Sequence, residues 1–171
     1  MNWFKIASIK EIEDRIKKIL KSHSFTKSIM DYYNIPIEDI DSHLAIEVCN
    51  LDGKFAEGNG KLIRIDRKLL KKDFFKENFH FIIHEFFHWV KRRSEAKFYF
   101  NDPEEVQSFV MQMTWDLIQG QDREEVIKKI QPIIQTHFKD QMKFKNVFEE
   151  MVKKAIYLYE IYLKNETIDF N

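Results

Sequence analysis

The stretch "DFFKENFHFIIHEFFHWVKRR", residues 73–93, constrains this chain more than any other. It is apolar or aromatic nearly all round a helical wheel, and a helix without a polar face has to be enclosed by the rest of the molecule. Its last turn carries Lys91, Arg92 and Arg93, which suits a helix C-terminus and reads as helix-end charge. Yet this helix also holds His80, His84 and His88 at a spacing of four, with Glu85 between the last two. Imidazoles and a carboxylate in such surroundings are costly unless hydrogen-bonded or coordinated. The chain can supply the enclosure: 171 residues, 44% of them hydrophobic and 16 of them Phe, are enough for a core.

The segments on either side predict a mostly helical α+β fold in one domain spanning residues 1–171. "SIKEIEDRIKKILKSH" reads as a first helix, with Ser8 and Glu11 as a capping box and Ile9, Ile12, Ile16, Ile19 and Leu20 on one face. "FTKSIMDYY" reads as a short second helix, ended before Pro36. The strand signal is confined to residues 44–66. There "LAIEV" suits a strand and "GKFAEGNGKLIRID" a hairpin, with "GNG" at 58–60 supplying positive-φ positions. A small sheet of about three strands therefore precedes the histidine helix. Beyond it, "PEEVQSFVMQMTWDLIQG" reads as a helix with Asp102 as N-cap, Pro103 in its first turn and Gly120 as its stop. Two more helical segments follow. Pro132 should bend or split the first, and the second shows a broad face from Phe144 to Tyr162.

His84-Glu85-Phe86-Phe87-His88 is an H-E-x-x-H. On a helix, residues four apart share a face, so both imidazoles can meet one Zn²⁺. Glu85, one position round, can reach water at the metal and take its proton as general base. A catalytic zinc needs a third protein ligand. Positions 91 and 94 are Lys and Ser, so no third histidine follows in the metzincin spacing. Glu104 and Glu105, the first acids of the next helix, are the candidates, and a helix N-terminus favours a carboxylate as an anion. Glu105 is preferred because Ser108 follows at i+3, a small residue that permits close helix approach; Glu104 stays as the alternative. His80 lies near the same face, one turn early, as a supporting residue or substitute ligand. Asp116 is a candidate for orienting a histidine, and Tyr157, Tyr159, Tyr162 and His137 for stabilising a transition state.

"LIRID", "HEFFH" and "DPEEVQS" in this order resemble the gluzincin clan of zincin metallopeptidases, and within it small minimal gluzincin-like proteins of phages and bacteria. The resemblance covers roughly residues 45–117, with Gln107 and Ser108 where the pattern often has Glu and Ala. It implies His84, His88 and Glu105 as zinc ligands, Glu85 as general base, hydrolysis of peptide bonds, and a peptide or protein substrate. It also implies that Leu62 to Ile65 form the edge strand along which an extended peptide adds.

Composition narrows the rest. With 28 basic and 28 acidic residues the chain lacks the excess of a general nucleic-acid binder. No apolar run approaches a membrane span, and the first residues have no secretory h-region. The single Cys49 excludes an internal disulfide and fits a reducing, cytoplasmic setting. Two rival readings remain: a zinc-binding but non-proteolytic protein, and a helical interaction protein that engages a partner through its C-terminal helices.

Overall fold

The computed structural model describes residues 9–94 and 104–164, with the side chains of 72–74 and 104 excepted. The fold is α+β and mostly helical, with one three-stranded sheet. The chain divides into two compact units, one within residues 1–97 and the other within residues 98–171. Ser8, Asp102 and Pro103, expected to cap or open helices, lie outside the described residues.

The first unit begins with α1 (Ile9–Ser22) and α2 (Ser24–Tyr32). α1 buries Ile16 and Leu20, the inner part of the expected apolar face. The junction is tied by Thr26, whose hydroxyl meets the carbonyls of Leu20 and His23, and by His23, whose Nδ1 accepts from the Phe25 N–H at 3.2 Å. α2 stops because Asn34 turns left-handed, with φ +53. The Ile35 N–H reaches the Met30 carbonyl at 2.9 Å and the Asn34 N–H reaches Asp31 at 3.0 Å. This is a Schellman cap, so Asn34 ends the helix before Pro36 can act. A short α3 (Asp39–His43) follows.

The sheet comprises β1 (Ala45–Cys49), β2 (Ala56–Gly58) and β3 (Leu62–Asp66) in the order β1-β3-β2. β1 runs parallel to β3, and β2 pairs antiparallel with β3 as the expected hairpin. Register sets Ile46 beside Ile63 and Val48 beside Ile65, all four buried. On the opposite face Arg64 lies between Glu47 and Glu57, 3.3 Å from each. This alternation is what a half-buried sheet requires. The order corrects the expectation for Leu62 to Ile65: β3 is the central strand, and β1 and β2 are the edges. Period-two alternation gives the buried face of a strand but not its neighbours, and the β1–β3 pairing spans residues far apart in sequence.

After β3 the buried Asp66 caps a 3-10 turn at Arg67–Leu70, accepting from the Lys68 N–H at 2.8 Å and the Leu51 N–H at 2.6 Å. The long helix expected from residue 73 is broken into α4 (Lys72–Asn78) and α5 (His80–Arg93). The Phe79 carbonyl accepts from both Ile82 and Ile83, and the Phe75 and Phe79 rings meet edge to face at 5.4 Å. Neither Gly nor Pro marks this break in the sequence. α5 packs on β2 and β3 and buries Ile82, Ile83, Phe86, Phe87, Trp89 and Val90. At about 1.5–3 kcal/mol for each large apolar side chain, this helix is a principal contributor to the unit's stability.

The second unit packs α6 (Glu104–Ile118), α7 (Arg123–Gln135) and α8 (Gln141–Leu163) against one another. Asp122 and Asp140 cap α7 and α8 by accepting from two N–H groups each. Gly120, with φ +81, closes α6 as expected. α7 runs through Pro132 instead of splitting there. α8 buries Phe144, Phe148, Met151, Ala155 and Leu158 from its expected broad face, together with Ile161. Among the described residues no helix is long and apolar enough to cross a membrane.

Candidate metal centre

In the first unit, α5 carries His84 and His88 on successive turns, each 8% exposed. Their Nε2 atoms are 3.2 Å apart, and the rings meet at 64° with centroids 4.9 Å apart. Two nitrogens bound to one zinc at about 2.0–2.1 Å in tetrahedral geometry would be separated by about 3.3–3.4 Å. The pair is therefore spaced for one shared ion, and equally for one shared proton. Phe86, Phe87 and Trp89, all buried, fix the helix beneath them. Phe87 meets the Tyr33 ring edge to face at 6.0 Å, and Phe86 stacks on Trp89 at 5.6 Å.

Glu85 points from the same helix toward β2. A Cβ built on Gly58 would lie 2.7 Å from Glu85 Oε2. The carboxylate is half-buried, on the sheet side of α5. His80 is fully buried, with its ring centroid 4.3 Å from that of Phe81.

The charged end of α5 is not a simple solvated run. Lys91 is buried with Nζ 5.2 Å from the Tyr33 ring centroid, a cation–π arrangement. Burial pushes the Tyr33 hydroxyl well above its usual range. Arg92 lies across the hairpin turn at Gly60, and Arg93 pairs with Asp39. That hydrogen bond from Arg93 holds the Asp39 carboxyl below its ordinary value.

In the second unit, Glu105 is exposed in the first turn of α6. It lines a cavity of about 510 Å³ together with Val106, Phe109, Ile134, His137 and Phe138. Lys139, Asp140 and Lys143 complete the lining, and His137 lies against Phe109 with ring centroids 5.6 Å apart. The tyrosines considered with His137 do not line this cavity, and Tyr157 is 55% exposed. No sequence signal marked the cavity, because its residues come from α6, the end of α7, the turn after it and the start of α8. Ser108 is fully buried. Asp116 is buried, accepts from Gln121 Nε2 at 2.9 Å and pairs with Lys129 at 3.5 Å, so it joins α6 to α7. The Glu104 side chain lies outside the described ones. Cys49 is a free thiol at the end of β1.

Comparison with protein-family models, with curated proteins and with solved structures found no match.

Proposed function

We propose that this protein is a zinc-dependent metallopeptidase of the gluzincin kind, acting on peptides or proteins. The observation that carries this reading is the donor chemistry. Two imidazoles, His84 and His88, converge on α5 at a separation suited to one ion, and Glu105 is proposed as the third ligand on the strength of the sequence resemblance. Two neutral nitrogens and one carboxylate fit zinc, with a coordination position left for chemistry. The resemblance of "HEFFH" and "DPEEVQS" to gluzincins supports the same assignment.

Zinc held there would supply Lewis acidity toward a peptide carbonyl and make water a usable nucleophile near neutral pH. Glu85 takes a proton from the attacking water as its oxygen bonds to the carbonyl carbon. The same carboxyl then gives that proton to the departing amine as the C–N bond breaks. His137, in the cavity that Glu105 lines, is the candidate donor to the developing oxyanion. The apolar floor of that cavity, formed by Val106, Phe109, Ile134 and Phe138, is suited to a substrate side chain.

Glu85→Gln tests the mechanism. The variant should retain zinc and lose hydrolysis of an unstructured protein such as casein. An unchanged rate with bound zinc would end the proposal.

A further inference from the structure

The chain has four glycines, and three of them have backbone reasons to be glycine: Gly53, Gly60 and Gly120 have φ of +74, +81 and +81. Gly58 does not. It lies in β2, paired with Ile63, where a glycine weakens a strand and any L-residue could adopt the backbone. Directly paired residues project to the same face, so a side chain at 58 would rise on the side of Ile63, where α5 packs. The three nearest heavy atoms it would meet there all belong to one residue, Glu85. Its Cβ would lie 2.7 Å from Glu85 Oε2 and 3.6 Å from Glu85 Cβ and Cδ.

We infer that Gly58 is a positioning residue for Glu85: the missing side chain is the space in which the carboxylate is held against the edge strand. This rests on Glu85 being the general base. Gly58 is itself exposed, so that space opens to solvent where an incoming chain could arrive. A methyl group at 58 would displace the end of a flexible side chain, which the fold tolerates. The carboxylate, however, would lose its place, and displacement of a reacting group by about 1 Å can cost a hundredfold in rate.

Two measurements test this on the full chain. In zinc-loaded protein, Gly58→Ala should keep its metal, its unfolding midpoint and its KM, while kcat falls at least about tenfold. An unchanged kcat would overturn the inference. In chelator, the unfolding midpoints of Gly58→Ala, Glu85→Ala and the double variant should be non-additive. Gly58→Ala should leave the midpoint unchanged when residue 85 is Glu and raise it when residue 85 is Ala, because the new methyl group then displaces nothing. Additive midpoints would overturn the Gly58–Glu85 relation even if the protein hydrolyses peptides. Absence of hydrolysis by the wild-type chain would instead overturn the role of Glu85 as base.

Discussion

The Nε2 atoms of His84 and His88 stand 3.2 Å apart on successive turns of a helix whose neighbouring side chains are buried. Both rings are themselves 8% exposed, on a helix held by the buried Phe86, Phe87 and Trp89. Such preorganisation favours a metal that needs both nitrogens at once. Replacing either histidine by Ala should abolish stoichiometric zinc binding, whereas His80→Gln should leave about one zinc per chain. Elemental analysis of the three variants decides this, and zinc retained by both alanine variants would exclude the pair as ligands.

Lys91 should matter to stability more than a lysine at a helix end usually does. Its stem is buried and its ammonium faces the Tyr33 ring. Lys91→Ala should cost about 1–2 kcal/mol by denaturant unfolding, from the lost cation–π contact and packing. Disrupting the exposed Lys153–Glu150 pair should leave the unfolding midpoint essentially unchanged.

Gly58, the last residue of β2, and Gly60, in the hairpin turn, should respond differently to the same substitution. Gly60 has φ +81, and a Cβ there would run into the Arg92 side chain. Gly60→Ala should therefore lose about 1–2 kcal/mol, the cost of a left-handed L-residue. Gly58→Ala should lose none. Equal destabilisation of both would show that the turn, and not Glu85, sets residue 58.

Acid should destabilise the first unit in two steps. Burial lowers the His23 pKa, and its Nδ1 must stay unprotonated to cap α2. A folded pKa below the unfolded value means that the unfolded state binds more protons between the two. The stability from His23 is thus present above about pH 6.5 and is lost as pH falls through the folded value. Backbone donors from Lys68 and Leu51 lower the Asp66 pKa, so its contribution is present above about pH 4 and is lost below that, as pH falls through the folded value. Stability measured against pH should lose the upper step in His23→Asn and the lower one in Asp66→Asn. Asp66→Ala should cost about 1–3 kcal/mol at neutral pH.

Much of the fold is legible in local chemistry. The caps at Gly120 and the hairpin at Asn59–Gly60 follow from residues that few other conformations suit. The His84–His88 relation is equally local, because one helical repeat fixes it. What local pattern does not carry is pairing at a distance. β1 finds β3 across residues 50–61, so the edge of the sheet moves from Leu62–Ile65 to β2. The break at Phe79 is marked by no Gly or Pro in the sequence. The relation of Gly58 to Glu85 joins a strand to a helix, and the "GNG" turn signal hides it by offering a ready reason for both glycines.

In the proposed function the chain binds zinc through His84, His88 and Glu105. The most direct test is elemental analysis of the full chain purified without chelator, followed by thermal unfolding with and without EDTA. The expected result is about one zinc per chain and a lower unfolding midpoint once it is removed. No metal, with a midpoint indifferent to EDTA, would contradict it.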